Sequence, residues 1–155
     1  MLPDGEGLVF NVSHSGNRAL LAFARDTALG VDLESISQRH DLEGLVKMCL
    51  ASSERDRWER VGSEDRLREF IRLWVSKEAF VKAVGRGIGV GIKRIAVNAR
   101  CDGFLEVPED YGRASEWRLR EWALRDFRAA VVFKGMDRPL RVLDAMAGSA
   151  GMSTG

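Results

Sequence analysis

Three acidic residues carry the chemical signal in this sequence: Glu78 and, upstream of it, Asp32 and Glu34. Glu78 lies in "RLWVSKEAFVKAVGRGIGV", residues 72–90. Around it Leu67, Phe70, Ile71, Trp74, Val81 and Val84 recur at three- and four-residue spacing, which lines one side of an α-helix. At about 100° per residue, Glu78 falls on the row of Leu67, Ile71 and Trp74. A carboxylate turned inward must be neutralised, paired or bound to a metal, because burying it bare is too costly. In "ALGVDLESI", Val31 and Leu33 alternate with Asp32 and Glu34, so on a strand both carboxylates share one face. Three oxygen donors without a histidine or cysteine cluster suit a hard cation, above all Mg²⁺, which also meets substrate phosphates. A competing reading makes Asp32 and Glu34 the wet face of an edge strand and pairs Glu78 with Lys82, one turn on.

The elements that must position these residues follow from the same patterning. Residues 8–12 and "RALLAFAR" have strand character on either side of "SHSGN", and residues 30–34 form the next strand. Together they predict an antiparallel meander. Asp41 is placed to cap a helix with Leu42, Leu45, Val46 and Cys49 on one face. Further helices start near Ser53 and Ser63, the last being the long one that stops at Gly85. "GRGIGVGI" disfavours helix and permits close backbone approach. It is neither a P-loop, since no GK[ST] follows, nor a dinucleotide fingerprint, which needs strand, glycines, then helix. Residues 93–98, 115–122 and 127–133 have strand character, with a turn at Asp102. The hydrophobic pattern fades after Lys134, so 135–155 reads as a disordered tail behind a single domain, 1–134.

Bulk composition narrows the classes. The chain has 155 residues with 24 basic and 23 acidic side chains, a formal net charge of +1. That balance gives no electrostatic case for nucleic acid or a membrane surface as partner. No apolar run is long enough to span a bilayer, and the start "MLPDGEGLVF" has no signal-peptide pattern. Cys49 and Cys101 have no zinc or CxxC spacing, and a reducing cytoplasm is the simplest setting.

Read jointly, "FNVSHSGNRALLAFA", "GVDLE" and "WVSKEAFVKAVGRG" resemble the signature of the 4'-phosphopantetheinyl transferases, specifically the surfactin-synthetase-activating (Sfp-like) type. The resemblance covers roughly residues 8–133 and implies an α+β fold, antiparallel strands packed on a long helix. It implies transfer of the phosphopantetheine arm of coenzyme A, with Mg²⁺, to a serine of an acyl or peptidyl carrier protein. By that resemblance Asp32, Glu34 and Glu78 are the metal ligands. Glu78, or a water on the metal, takes the serine proton. Lys82 holds a phosphate oxygen and Lys77 assists. Ser13 and His14 contact coenzyme A, the histidine at its 3'-phosphate, and Gly85 lets the loop pass close to the pantetheine arm. Trp74, Phe70, Phe80 and Trp122 are assigned to core packing.

The chain departs from that pattern by beginning just ahead of "SHS", so it matches mainly one half of the family's pseudo-twofold fold. The resemblance then implies a partner surface, from self-association or from an N-terminal half. Two other functions use the same residues: a non-catalytic module that binds Mg²⁺ or coenzyme A weakly, and a Mg²⁺-dependent phosphohydrolase. The carrier protein is expected near the helix capped by Asp41, where Leu45, Met48 and Cys49 are either docking or core residues.

Overall fold

The computed structural model describes residues 7–37 and 39–145. In chain order the elements are β1 (Leu8–Ser15), β2 (Arg18–Arg25), β3 (Leu29–Ser35), α1 (Leu42–Cys49), α2 (Ser52–Glu59), α3 (Arg66–Val84), β4 (Ala96–Val97), β5 (Phe104–Glu106), β6 (Trp117–Leu124) and β7 (Phe127–Lys134). Strands and helices occupy separate blocks and the strand pairs are antiparallel, so the chain is α+β. The glycine-rich stretch forms short 3₁₀ turns, Gly87–Val90 and Ile92–Arg94. Among the described residues no helix is long and apolar enough to cross a membrane.

The meander expectation is corrected at β3. β1 and β2 form a hairpin, but β3 pairs with β7, from the far end of the domain, in a sheet ordered β3-β7-β6. The reason lies in β1, whose inward positions Asn11, Ser13 and Ser15 are polar. Their side chains, rather than a strand backbone, meet the amides of β3.

Alternation along β3 divides the layers. Leu29 and Val31 face the hairpin and, with Val131 and Phe133, form a small core beneath Val9, Leu20, Ala22 and Ala24. Gly30, Asp32 and Glu34 take the opposite face, toward α3. A β-carbon added at Gly30 would run into the Ala79 carbonyl oxygen and the Ala83 amide. Glycine there is what lets helix and strand backbones touch. The main core lies on this side, where Phe80 packs edge-on to Trp117 at 4.7 Å between ring centres.

Residues 135–145 carry no helix or strand, yet Asp137 pairs with Arg120 and Arg138 donates to the Arg25 carbonyl oxygen. The expected disordered tail therefore starts with a stretch fastened to the hairpin and β6; residues 146–155 lie outside the described residues.

Candidate active site

Asp32 is at the centre of the polar cluster between β3 and α3. It is 5% exposed, so it is not on a wet strand face. Its Oδ1 accepts from Ser13 Oγ at 3.1 Å and from Lys82 Nζ at 2.8 Å. Its Oδ2 is buried and, among the described residues, has no hydrogen-bond partner. Lys82 forms its salt bridge with Asp32, not with Glu78.

Glu34 and Glu78 complete the cluster. Burial pushes the Glu78 carboxyl above the usual range, and the charge of Asp32 adds to this, while Lys82 pulls it back. Burial likewise raises Glu34, again with Asp32 adding; Arg39, a hydrogen bond from the Trp74 side chain and Lys82 oppose the rise. Arg39 stands 3.5 Å from Glu34. Both glutamates thus feel the charge of Asp32, and Glu78 also feels that of Glu34. Among the described residues, however, no three of His, Cys, Asp and Glu are gathered so as to hold a metal ion.

A cavity of about 560 Å³ opens beside these groups. Glu78 and Lys82 line it together with apolar Met48, Trp74, Val81, Val90 and Ile92, and Gly85 and Gly87 form part of its wall. Gly85 closes α3 in the left-handed conformation, φ 69°, where a side chain would be strained, and so both stops the helix and borders the cavity. Of the α1 residues, Cys49 is core and Leu45 packs against it, while Met48 is exposed.

Two of the residues expected to contact coenzyme A are buried and engaged within the protein. Lys77 turns into the protein, fully buried, with Nζ 2.5 Å from Glu54 and 2.7 Å from the Cys49 carbonyl oxygen. It has no surface to offer a phosphate. Ser13 is also buried, its hydroxyl already engaged with Asp32 and the Leu33 amide. His14 is the next residue on the strand and therefore points the other way, exposed on the outward face with Leu8, Phe10 and Val12. It does not join the acidic cluster.

Sequence reasoning missed Trp74 and Arg39 as partners of Glu34, and Glu54 as the partner of Lys77. For Trp74 a signal existed: a half-buried indole N–H ordinarily finds an acceptor, and the residue shares the helical row of Glu78.

The family model described as the 4'-phosphopantetheinyl transferase superfamily matches residues 28–132, which include every member of the acidic cluster. The chain belongs to this superfamily. Among 4'-phosphopantetheinyl transferases, it is 34% identical over 110 residues to a putative member from Synechocystis sp., covering 71% of this chain and 44% of that protein. It is 40% identical over 82 residues to the 4'-phosphopantetheinyl transferase HetI of Nostoc sp., covering 53% of this chain and 35% of that one. The chain thus spans less than half the length of these relatives. A holo-(acyl-carrier-protein) synthase from Bacillus anthracis, solved in complex with coenzyme A (3',5'-ADP), has the same fold. It matches with a TM-score of 0.55 and 20% identity, over 71% of this chain and 98% of that one.

Proposed function

We propose that this chain acts in moving the 4'-phosphopantetheine arm of coenzyme A onto a serine of an acyl or peptidyl carrier protein, as a transferase of the Sfp-like type. The observation that carries this reading is an acidic cluster with an unpartnered buried oxygen, one member of which, Glu78, lines a largely apolar cavity together with Lys82. Among the described residues Oδ2 of Asp32 is a buried oxygen without a donor, and the two neighbouring glutamates are held above their usual pKa by burial and by the charge of Asp32. In chemistry, three carboxylates suit a hard divalent cation, although they are not drawn together around one point in the structure as it stands. Asp32, Glu34 and Glu78 would hold Mg²⁺, which when bound offsets charge on the phosphate oxygens.

The chain's own residues do the rest. The cavity takes the pantetheine arm, and Lys82 Nζ, partly exposed at its edge, holds a phosphate oxygen. The serine Oγ of the carrier protein attacks the phosphorus that bears the arm. Its proton passes to the Glu78 carboxylate, whose raised pKa makes it a stronger base than a free glutamate. The bond to the other phosphate breaks, and 3',5'-adenosine bisphosphate leaves.

The outward face of the hairpin bears on the state in which this works. Phe10 and Phe23 are 65% and 63% exposed there, flanked by Leu8, Val12 and Leu21. A patch of this kind is covered by a protein surface in the working state, and His14 lies at its end. We expect self-association at micromolar concentration by light scattering; a well-folded monomer would count against it.

The deciding experiment mixes the chain with coenzyme A, Mg²⁺ and apo carrier protein and follows carrier mass. A phosphopantetheine adduct that requires Mg²⁺ is the expected result. Coenzyme A binding without adduct on any acceptor would make the chain a binding module. Coenzyme A breakdown without carrier protein would make it a phosphohydrolase.

A further inference from the structure

β1 runs along the edge of β3 that β7 leaves free, and it meets that edge with side chains. Asn11 Oδ1 accepts from the Val31 amide at 2.9 Å, Ser13 Oγ from Leu33 at 3.1 Å and Ser15 Oγ from Ser35 at 3.1 Å. Outward amides of a strand recur at every second residue, as do side chains on one face. Three polar residues two apart therefore answer three donors in register. Asp32 and Glu34 are the residues between those donors.

Ser13 alone makes a second bond, donating its hydroxyl to Asp32 Oδ1 at 3.1 Å. Lys82 meets the same oxygen. With Oδ1 held twice, the carboxylate is fixed in rotation, and Oδ2 is the oxygen left buried and unpartnered. A hydroxyl has a single proton to give, and here Asp32 takes it. Ser13 is 5% exposed and keeps no donor for a phosphate.

We propose that Ser13 is a positioning residue that aims Asp32 Oδ2 at the divalent cation, rather than a contact for coenzyme A; the inference rests on the metal reading given above. The test is Mn²⁺ titration of the purified chain, followed by electron paramagnetic resonance without coenzyme A. Ser13→Ala should bind Mn²⁺ on the order of tenfold more weakly than wild type, the usual loss when a ligand's orienting partner is removed. Ser13→Thr keeps the hydroxyl and suits a strand, and should restore the affinity. Ser15→Ala loses a like strand-edge bond without touching Asp32 and should bind as wild type does. Should Ser13→Ala not fold, the near-isosteric Ser13→Cys, a weak donor, should show the same weakening.

Wild-type affinity in Ser13→Ala, or in Ser13→Cys where the alanine variant does not fold, would overturn the proposal. So would equal weakening in Ser15→Ala. So would loss, in Ser13→Ala, of a preference for coenzyme A over its 3'-dephospho form with Mn²⁺ binding intact. A wild-type chain that binds no Mn²⁺ would overturn the metal reading and this inference with it. Wild-type binding with an unaffected Ser13→Ala removes the inference alone.

Discussion

Helix α3 carries two acid–lysine pairs whose contrast separates scaffold from site. Lys77 and Glu54 are sealed, both fully buried. Glu54 accepts from Lys77, from the Ala51 amide and from the Val97 amide, so both its oxygens are used. Lys77 also reaches the Cys49 carbonyl oxygen, so one cluster joins the end of α1, the start of α2, the middle of α3 and β4. Lys82 and Asp32 are the same chemical pair, but Lys82 is 31% exposed and one oxygen of Asp32 has no partner. Where both carboxylate oxygens are used and the ammonium is held by two acceptors away from solvent, the pair is a rivet. Where a buried oxygen is left over among the described residues, as at Asp32, the pair has an acceptor to spare, which under the proposed function goes to a divalent cation.

That contrast is open to attack at four points. Lys77→Met should cost about 3–5 kcal/mol of unfolding free energy in urea titrations, since it strands Glu54 as a buried charge; Asp32→Asn should cost far less. Equal costs would erase the distinction. Glu78→Gln should cut carrier-protein loading at least roughly a hundredfold, as removal of a general base does, without lowering the melting temperature. Loading at the wild-type rate would take Glu78 out of the reaction. Gly30→Ala should cost about 1–3 kcal/mol by overpacking the contact between β3 and α3, read as a lowered melting temperature. An unchanged melt would mean the two backbones do not touch there.

The smallest effect is on pH dependence. Glu34 and Glu78 have folded-state pKa values above their unfolded ones, so the folded chain holds extra protons in the interval between. Their stabilising contribution is full below the unfolded carboxylate pKa, about 4.3. It is lost as pH rises through the raised folded values. Wild type should therefore lose melting temperature over that window relative to Glu34→Gln/Glu78→Gln, and saturating Mg²⁺ should remove the difference. Parallel curves without Mg²⁺ would mean that the two acids are not frustrated in the folded chain.

Local pattern made much of this legible before any coordinates. The helical spacing around Glu78, the alternation of "GVDLE" and the Asp41 cap, which does accept the Gly44 amide, are short-range signals written in adjacent residues. The pairing of β3 with β7 was not legible, because an alternating strand says which face is buried and not which distant strand lies beside it. Lys77 misled for a related reason: its place next to Glu78 suggests a shared site, but one step along a helix turns a side chain by about 100°. Its partner Glu54 lies in a segment whose only visible feature is a helix start. Ser13 stands out by resemblance, but that its one proton is committed to Asp32 shows only in the folded chain.

The two long edges of β3 are fastened by different means. On one side its backbone is zipped to β7; on the other it is held by three side-chain oxygens of the hairpin. Among the described residues the hairpin is held to the sheet by side chains: these three bonds, the small apolar layer over Val31 and Val131, and Arg18 over the Phe127 ring. Through Ser13, which bonds both the Leu33 amide and Asp32, the same fastening that seats the hairpin also sets the acidic strand's carboxylate, so the two features share one residue.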